Sequence, residues 1–139
     1  AGRFTFESPA PGRTLRHEPV SWSERRGLRQ APRWVRPVES FQWGAFQRVV
    51  ELLLERENDV FVLLGPYNEH MLRSAGLDAY HGVKNEITEW LRSRPIGLAV
   101  AEVLPSDLYA DASHPRAPGY RRLVQQLAAD PAFMEWLQR

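Results

Sequence analysis

The 139-residue chain contains no cysteine. That excludes disulfides, thiol nucleophiles and cysteine-type zinc sites, but it says little about compartment, since exported proteins often lack cysteine too. No stretch approaches the roughly 20 apolar residues a membrane-spanning helix needs, and no basic-then-apolar leader opens the sequence. Because the first residue is Ala1 and not methionine, an upstream segment is left open. Net charge is also small: 18 Lys and Arg stand against 17 Asp and Glu, and +1 argues against whole-domain binding to nucleic acid or an anionic membrane. Gly65 and Gly76 read as isolated turn glycines and no phosphate-binding loop occurs, so no cofactor is indicated.

What is present suits one globular domain: 43% of residues are hydrophobic and 25% charged, enough to bury roughly two thirds of the unfolded surface. Charge is unevenly placed. Residues 1–40 carry eight arginines against four glutamates, an excess of four, which leaves residues 41–139 at −3 to reach the total of +1. The same stretch holds Pro9, Pro11, Pro19, Pro32 and Pro37 without sustained periodicity and reads as an extended, irregular arm, to which Arg3–Glu7 adds a short strand-like alternation. Trp22 and Trp34, interleaved with Arg25, Arg26, Arg29 and Arg33, have the residue types of a single-strand nucleic-acid binder. The simpler reading packs the rings and arginine stems onto the body.

From Ser40 the pattern sharpens. Phe46, Val49, Val50, Leu53 and Leu54 form a helical stripe that predicts a helix over about 41–56, with Ser40 as its N-cap. Asn58-Asp59 supplies a turn, and Val60–Leu64 is a continuous β-branched and apolar run, the pattern of a strand buried on both faces. A second unit follows: Asp78 caps a helix whose Tyr80, Val83, Ile87, Trp90 and Leu91 share a face, Pro95–Gly97 breaks it, and residues 98–101 form a strand. Pro118 opens a last helix with Tyr120, Leu123, Val124 and Leu127 on one side, ending before Pro131. Helix, strand, helix, strand, helix predicts a parallel sheet covered by helices, with ligands bound beyond the carboxyl ends of the strands.

Both chemically interesting loops fall at those ends. After the second strand comes Asp111-Ala112-Ser113-His114-Pro115. Histidine is the side chain best suited to accept a proton at neutral pH, and it works best when a carboxylate takes its other ring N–H and fixes the tautomer. One short loop can deliver both. Ser113, directly adjacent to His114, is poorly placed as a nucleophile and reads as a turn residue.

The stretch Leu108-Tyr109-Ala110-Asp111-Ala112-Ser113-His114-Pro115, with Gly119-Tyr120 and Leu123, resembles the last conserved block of the SGNH/GDSL hydrolases, above all their O-acyltransferase and D-alanyl-transfer branches. The resemblance covers residues 40–130 in element order, while its sharp motif is confined to residues 108–123. It implies a flavodoxin-like three-layer parallel sheet, of which residues 41–139 would be the C-terminal part, and an ester substrate, with acyl groups on carbohydrate among the candidates. It further implies an extracytoplasmic setting, with His114 as base and Asp111 as its orienter. The chain departs from the family in one respect: no Gly-Asp-Ser nucleophile motif occurs. The serine is therefore expected on a missing N-terminal segment, and the chain is expected to pair with that segment or with a second copy of itself.

After the first strand comes Gly65-Pro66-Tyr67-Asn68-Glu69-His70, expected to lie beside the Asp/His loop. Asn68 is a candidate oxyanion donor or, more simply, a loop-shaping or substrate-contacting residue; Tyr67 and His70 are candidate walls of a substrate site. His70, His81 and His114 with Asp111 are metal-ligand types, but no spacing puts two histidines on one face, and no metal site is expected. Two classes survive: the C-terminal part of a serine esterase or O-acyltransferase, and a non-catalytic SGNH-like binding module.

Overall fold

The computed structural model describes residues 34–139. The arm's strand-like Arg3–Glu7 and its Trp22, Arg25, Arg26, Arg29 and Arg33 lie outside the described residues. Those described form a mixed α/β unit: α1 (Phe41–Glu55), β1 (Phe61–Leu64), α2 (Ser74–Arg92), β2 (Gly97–Val100), α3 (Ala117–Ala128) and α4 (Pro131–Trp136).

Local chemistry accounts for most of the boundaries. Ser40 Oγ accepts the Trp43 N–H at 3.2 Å and caps α1. The helix ends where Glu57 takes a left-handed φ of 58° and Asn58 folds back, its N–H and its Nδ2 both donating to the Leu53 carbonyl. Pro118 sits in the first turn of α3, where its missing N–H costs nothing. α2 starts earlier than Asp78: it begins at Ser74, so Gly76 is helical and Asp78 lies a turn inside. The Trp34 indole N–H donates to the Gly76 carbonyl at 2.9 Å, an anchor 42 residues away that no local cap reading reveals. After α3, Asp130 Oδ1 accepts from the Ala132 and Phe133 N–H groups and opens α4.

β1 and β2 pair in parallel, Phe61 opposite Gly97 through Leu64 opposite Val100. Phe61 stacks edge-on against Phe133 (5.1 Å) and contacts Trp136 (5.6 Å), which seats α4 on that face of the sheet. Gly97 stands opposite because a Cβ there would run into the Phe61 ring. The expected burial of β1 on both faces is not what the structure shows. Leu63 is 42% exposed and the other three β1 residues are half-buried. β1 is paired on one side: Gly97 N–H donates to the Val60 carbonyl and Ala101 N–H to the Leu64 carbonyl, so the even-numbered peptides face β2 and those of Phe61 and Leu63 face outward. Among the described residues no third strand meets them. α1 is likewise half-covered, with Val50 buried while Phe46, Val49 and Leu53 are exposed.

Under the loop after β2, Ala101, Leu104, Tyr109 and Leu123 form a buried cluster. Among the described residues no helix is long and apolar enough to cross a membrane.

Candidate functional site

The site is built at the carboxyl ends of the two strands. After β2 the chain makes a single turn at Ser106–Leu108 and then doubles back: Tyr109 bridges Pro115, the Ala110 N–H donates to the His114 carbonyl at 2.9 Å, and the Arg116 N–H donates to the Leu108 carbonyl at 2.7 Å. Residues 111–113 form the tip of this narrow loop. Its stem tolerates no bulk from α3, since a Cβ on Gly119 would lie 2.8 Å from the Leu108 carbonyl oxygen and 2.9 Å from Pro115 Cβ. Glycine lets the helix press against the loop.

Within the tip, Asp111 folds onto its own backbone. Its Oδ1 accepts the Ser113 and His114 N–H groups, each at 2.9 Å, and both carboxylate oxygens lie 2.9 Å from His114 Nδ1. An ionised carboxylate only accepts, so Nδ1 carries the proton and, in the neutral ring, Nε2 is left with its lone pair. His114 is 70% exposed and Asp111 53%, and among the described residues no hydrogen bond engages Nε2. Burial is the largest single influence on the Asp111 carboxyl and pushes its pKa up. The Ser113 N–H, the His114 ring, the His114 N–H and the imidazole's charge together outweigh it and hold the group below its ordinary value.

The loop after β1 lies directly alongside, as the strand order requires. Asn68 donates its N–H to the Ala112 carbonyl at 2.8 Å and its Nδ2 to the Asp111 carbonyl at 3.2 Å. It has no exposed surface, so its contacts are made within the protein and place it as a loop-shaping residue. Its Oδ1 has no hydrogen-bond partner among the described residues. Tyr67 is half-buried among Trp34 and Tyr80, with ring centroids 5.2 Å apart in each case. Its phenol is pushed up from the ordinary tyrosine value by burial and then by the Asp111 charge, so it stays a neutral donor near the dyad. The His70 Nε2 lies 3.0 Å from the Leu104 carbonyl, which makes it a tie between the two loops.

Tyr109 is the residue whose role the sequence did not disclose. It is fully buried, its hydroxyl donating to the Tyr67 carbonyl and accepting the Leu104 N–H, each at 3.1 Å. One phenol thus joins both loops. The only signal in the sequence was an aromatic residue two places before Asp111. His81, on the exposed side of α2, pairs with Glu69 at 2.9 Å. Among the described residues no group of three or more histidine, aspartate or glutamate side chains converges to hold a metal.

Beneath the loop a groove of about 260 Å³ runs between the outer side of β1 and α3, lined by Leu63, Pro66, Tyr120, Leu123 and Val124. Ser113 and Pro115 also line it, whereas His114 between them does not.

Searches of protein-family models, of curated proteins and of solved structures find no match to this chain.

Proposed function

We propose that this chain carries the base half of a serine esterase or O-acyltransferase of the SGNH type, acting on acyl esters, with carbohydrate esters among its substrates. The observation that carries the reading is the Asp111–His114 pair, both carboxylate oxygens 2.9 Å from Nδ1 and the ring's other nitrogen without a partner among the described residues. In such an enzyme a serine hydroxyl gives its proton to His114 Nε2 as its oxygen attacks the acyl carbonyl carbon, and Asp111 stabilises the imidazolium that forms. The imidazolium returns that proton to the departing alkoxide, leaving an acyl-serine that water or an acceptor hydroxyl then cleaves, again with His114 as base.

The serine belongs on a segment outside this sequence, which contains no Gly-Asp-Ser. Among the described residues no strand pairs with the outward-facing peptides of Phe61 and Leu63, and completion to a flavodoxin-like three-layer sheet would add strands there. With Asn68 buried, the oxyanion donors of this enzyme come with the nucleophile.

The test joins the chain to the residues encoded immediately upstream and treats the product with a fluorophosphonate. The expected result is labelling of one serine that His114→Ala reduces by at least 10³-fold in rate, consistent with loss of a triad base. The chain alone hydrolyses p-nitrophenyl acetate at the buffer rate. An extended protein with no reactive serine contradicts the enzyme reading and leaves a binding module that keeps the loop without the chemistry.

A further inference from the structure

The two loops at the sheet end divide the work of holding the dyad. Bonds internal to the tip, from the Ser113 and His114 N–H groups and the His114 ring to Asp111, set the shape of the turn. The stem bonds, Ala110 to His114 and Arg116 to Leu108, close its base. None of these attaches the tip to the sheet. Among the described residues the hydrogen bonds that do so come from one residue, Asn68, through Nδ2 to the Asp111 carbonyl and through its own N–H to the Ala112 carbonyl. These two carbonyls belong to consecutive peptide units lying between the dyad side chains.

An exposed surface turn has no need of such an attachment, because water satisfies its carbonyls. Here a side chain with no exposed surface is used instead, and one of its polar atoms, Oδ1, finds no partner among the described residues. The neighbouring link, from the Tyr109 hydroxyl to the Tyr67 carbonyl, joins the same two loops but touches nothing between residues 111 and 114.

We infer that Asn68 is a positioning residue for the Asp111–His114 pair: it fixes where the preassembled turn sits relative to β1, and so where His114 Nε2 points. This deepens the enzyme reading and rests on it for its purpose, but its geometry stands without it. Asn68 acts on the pair through the Asp111 and Ala112 carbonyls.

The test uses the chain as it stands and NMR relaxation at each backbone amide, comparing wild type, Asn68→Ala and Tyr109→Phe. In wild type residues 111–114 are expected to be as rigid as the helices, with order parameters of about 0.85; in Asn68→Ala they are expected to fall below about 0.6 while α2 and α3 stay unchanged. Tyr109→Phe, which also removes a bond between the loops, leaves residues 112–114 at the wild-type value. Unchanged order in Asn68→Ala, or the same loss in both variants, overturns the inference. Should Asn68→Ala not fold, a through-hydrogen-bond coupling between Asn68 Nδ2 and the Asp111 carbonyl carbon in wild type is decisive: its presence supports the anchor and its absence refutes it. The His114 tautomer, read from the same sample, judges the base reading separately, because the turn's internal bonds hold it whether or not Asn68 anchors the tip.

Discussion

Asp111 meets His114 twice over: its carboxylate lies 2.9 Å from Nδ1 through either oxygen, and its Oδ1 also takes the His114 backbone N–H. The histidine is therefore held by ring and peptide together. Three residues of separation suffice, with no partner from a distant element.

This arrangement makes stability depend on acid in a defined sense. The Asp111 pKa lies below its ordinary value in the fold, so the carboxylate's contribution is fully present above the unfolded value of about 3.9 and is lost as pH falls through the folded one. Urea midpoints of wild type and Asp111→Asn are expected to differ at pH 6, with wild type the more stable, and to converge as pH falls through the lowered folded value. A gap that persists at low pH would assign the effect to packing.

Tyr109→Phe should be more costly than a surface change. It strands the buried Leu104 N–H and the part-buried Tyr67 carbonyl, and each buried group left unsatisfied costs about 1–3 kcal/mol. A loss of about 2–4 kcal/mol in denaturant unfolding is the expected result.

Gly119→Ala tests the packing of α3 on the loop stem. The added methyl meets the Leu108 carbonyl and Pro115 at under 3 Å, both of them backbone or ring atoms with little room to move. Overpacking of this kind costs about 1–3 kcal/mol, so the thermal midpoint should fall by several degrees. The shifts in NMR resonance should centre on residues 108–116.

The outward edge of β1 predicts self-association when nothing else covers it. Leu63 is exposed on a strand that pairs on one side only among the described residues, and the α1 residues Phe46, Val49 and Leu53 are exposed as well. Light scattering across a dilution series should show mass above 16.0 kDa at high concentration, reduced by Leu63→Lys. A monomer at every concentration would contradict this.

The alternation of elements was legible because each carries its own local signal: a 3.6-residue stripe in α1, an apolar run at β1, Ser40 and Pro118 at helix starts. The Asp111–His114 contact was legible for the same reason, since both residues lie in one turn. What escaped was set by partners far along the chain. Trp34 donates to the Gly76 carbonyl in the first turn of α2 from 42 residues away, and Tyr109 reaches Tyr67 across the same separation. For Asn68 the sequence left an oxyanion donor, a loop-shaping residue and a substrate contact all open; its burial under the Asp111 loop is set by a partner 43 residues away. The burial of β1 was overestimated because its apolar run reports what the strand can bury, while the described residues supply a neighbour on one side alone.

The central claim is that His114 is an oriented base, and the ring's tautomer tests it most directly. Two-bond proton–nitrogen NMR at a pH where the ring is neutral should show the proton on Nδ1 and the lone pair on Nε2, with Asp111→Asn shifting the ring toward the Nε2–H form that free histidine prefers. A wild-type ring carrying its proton on Nε2, or averaging between the two forms, would contradict the account.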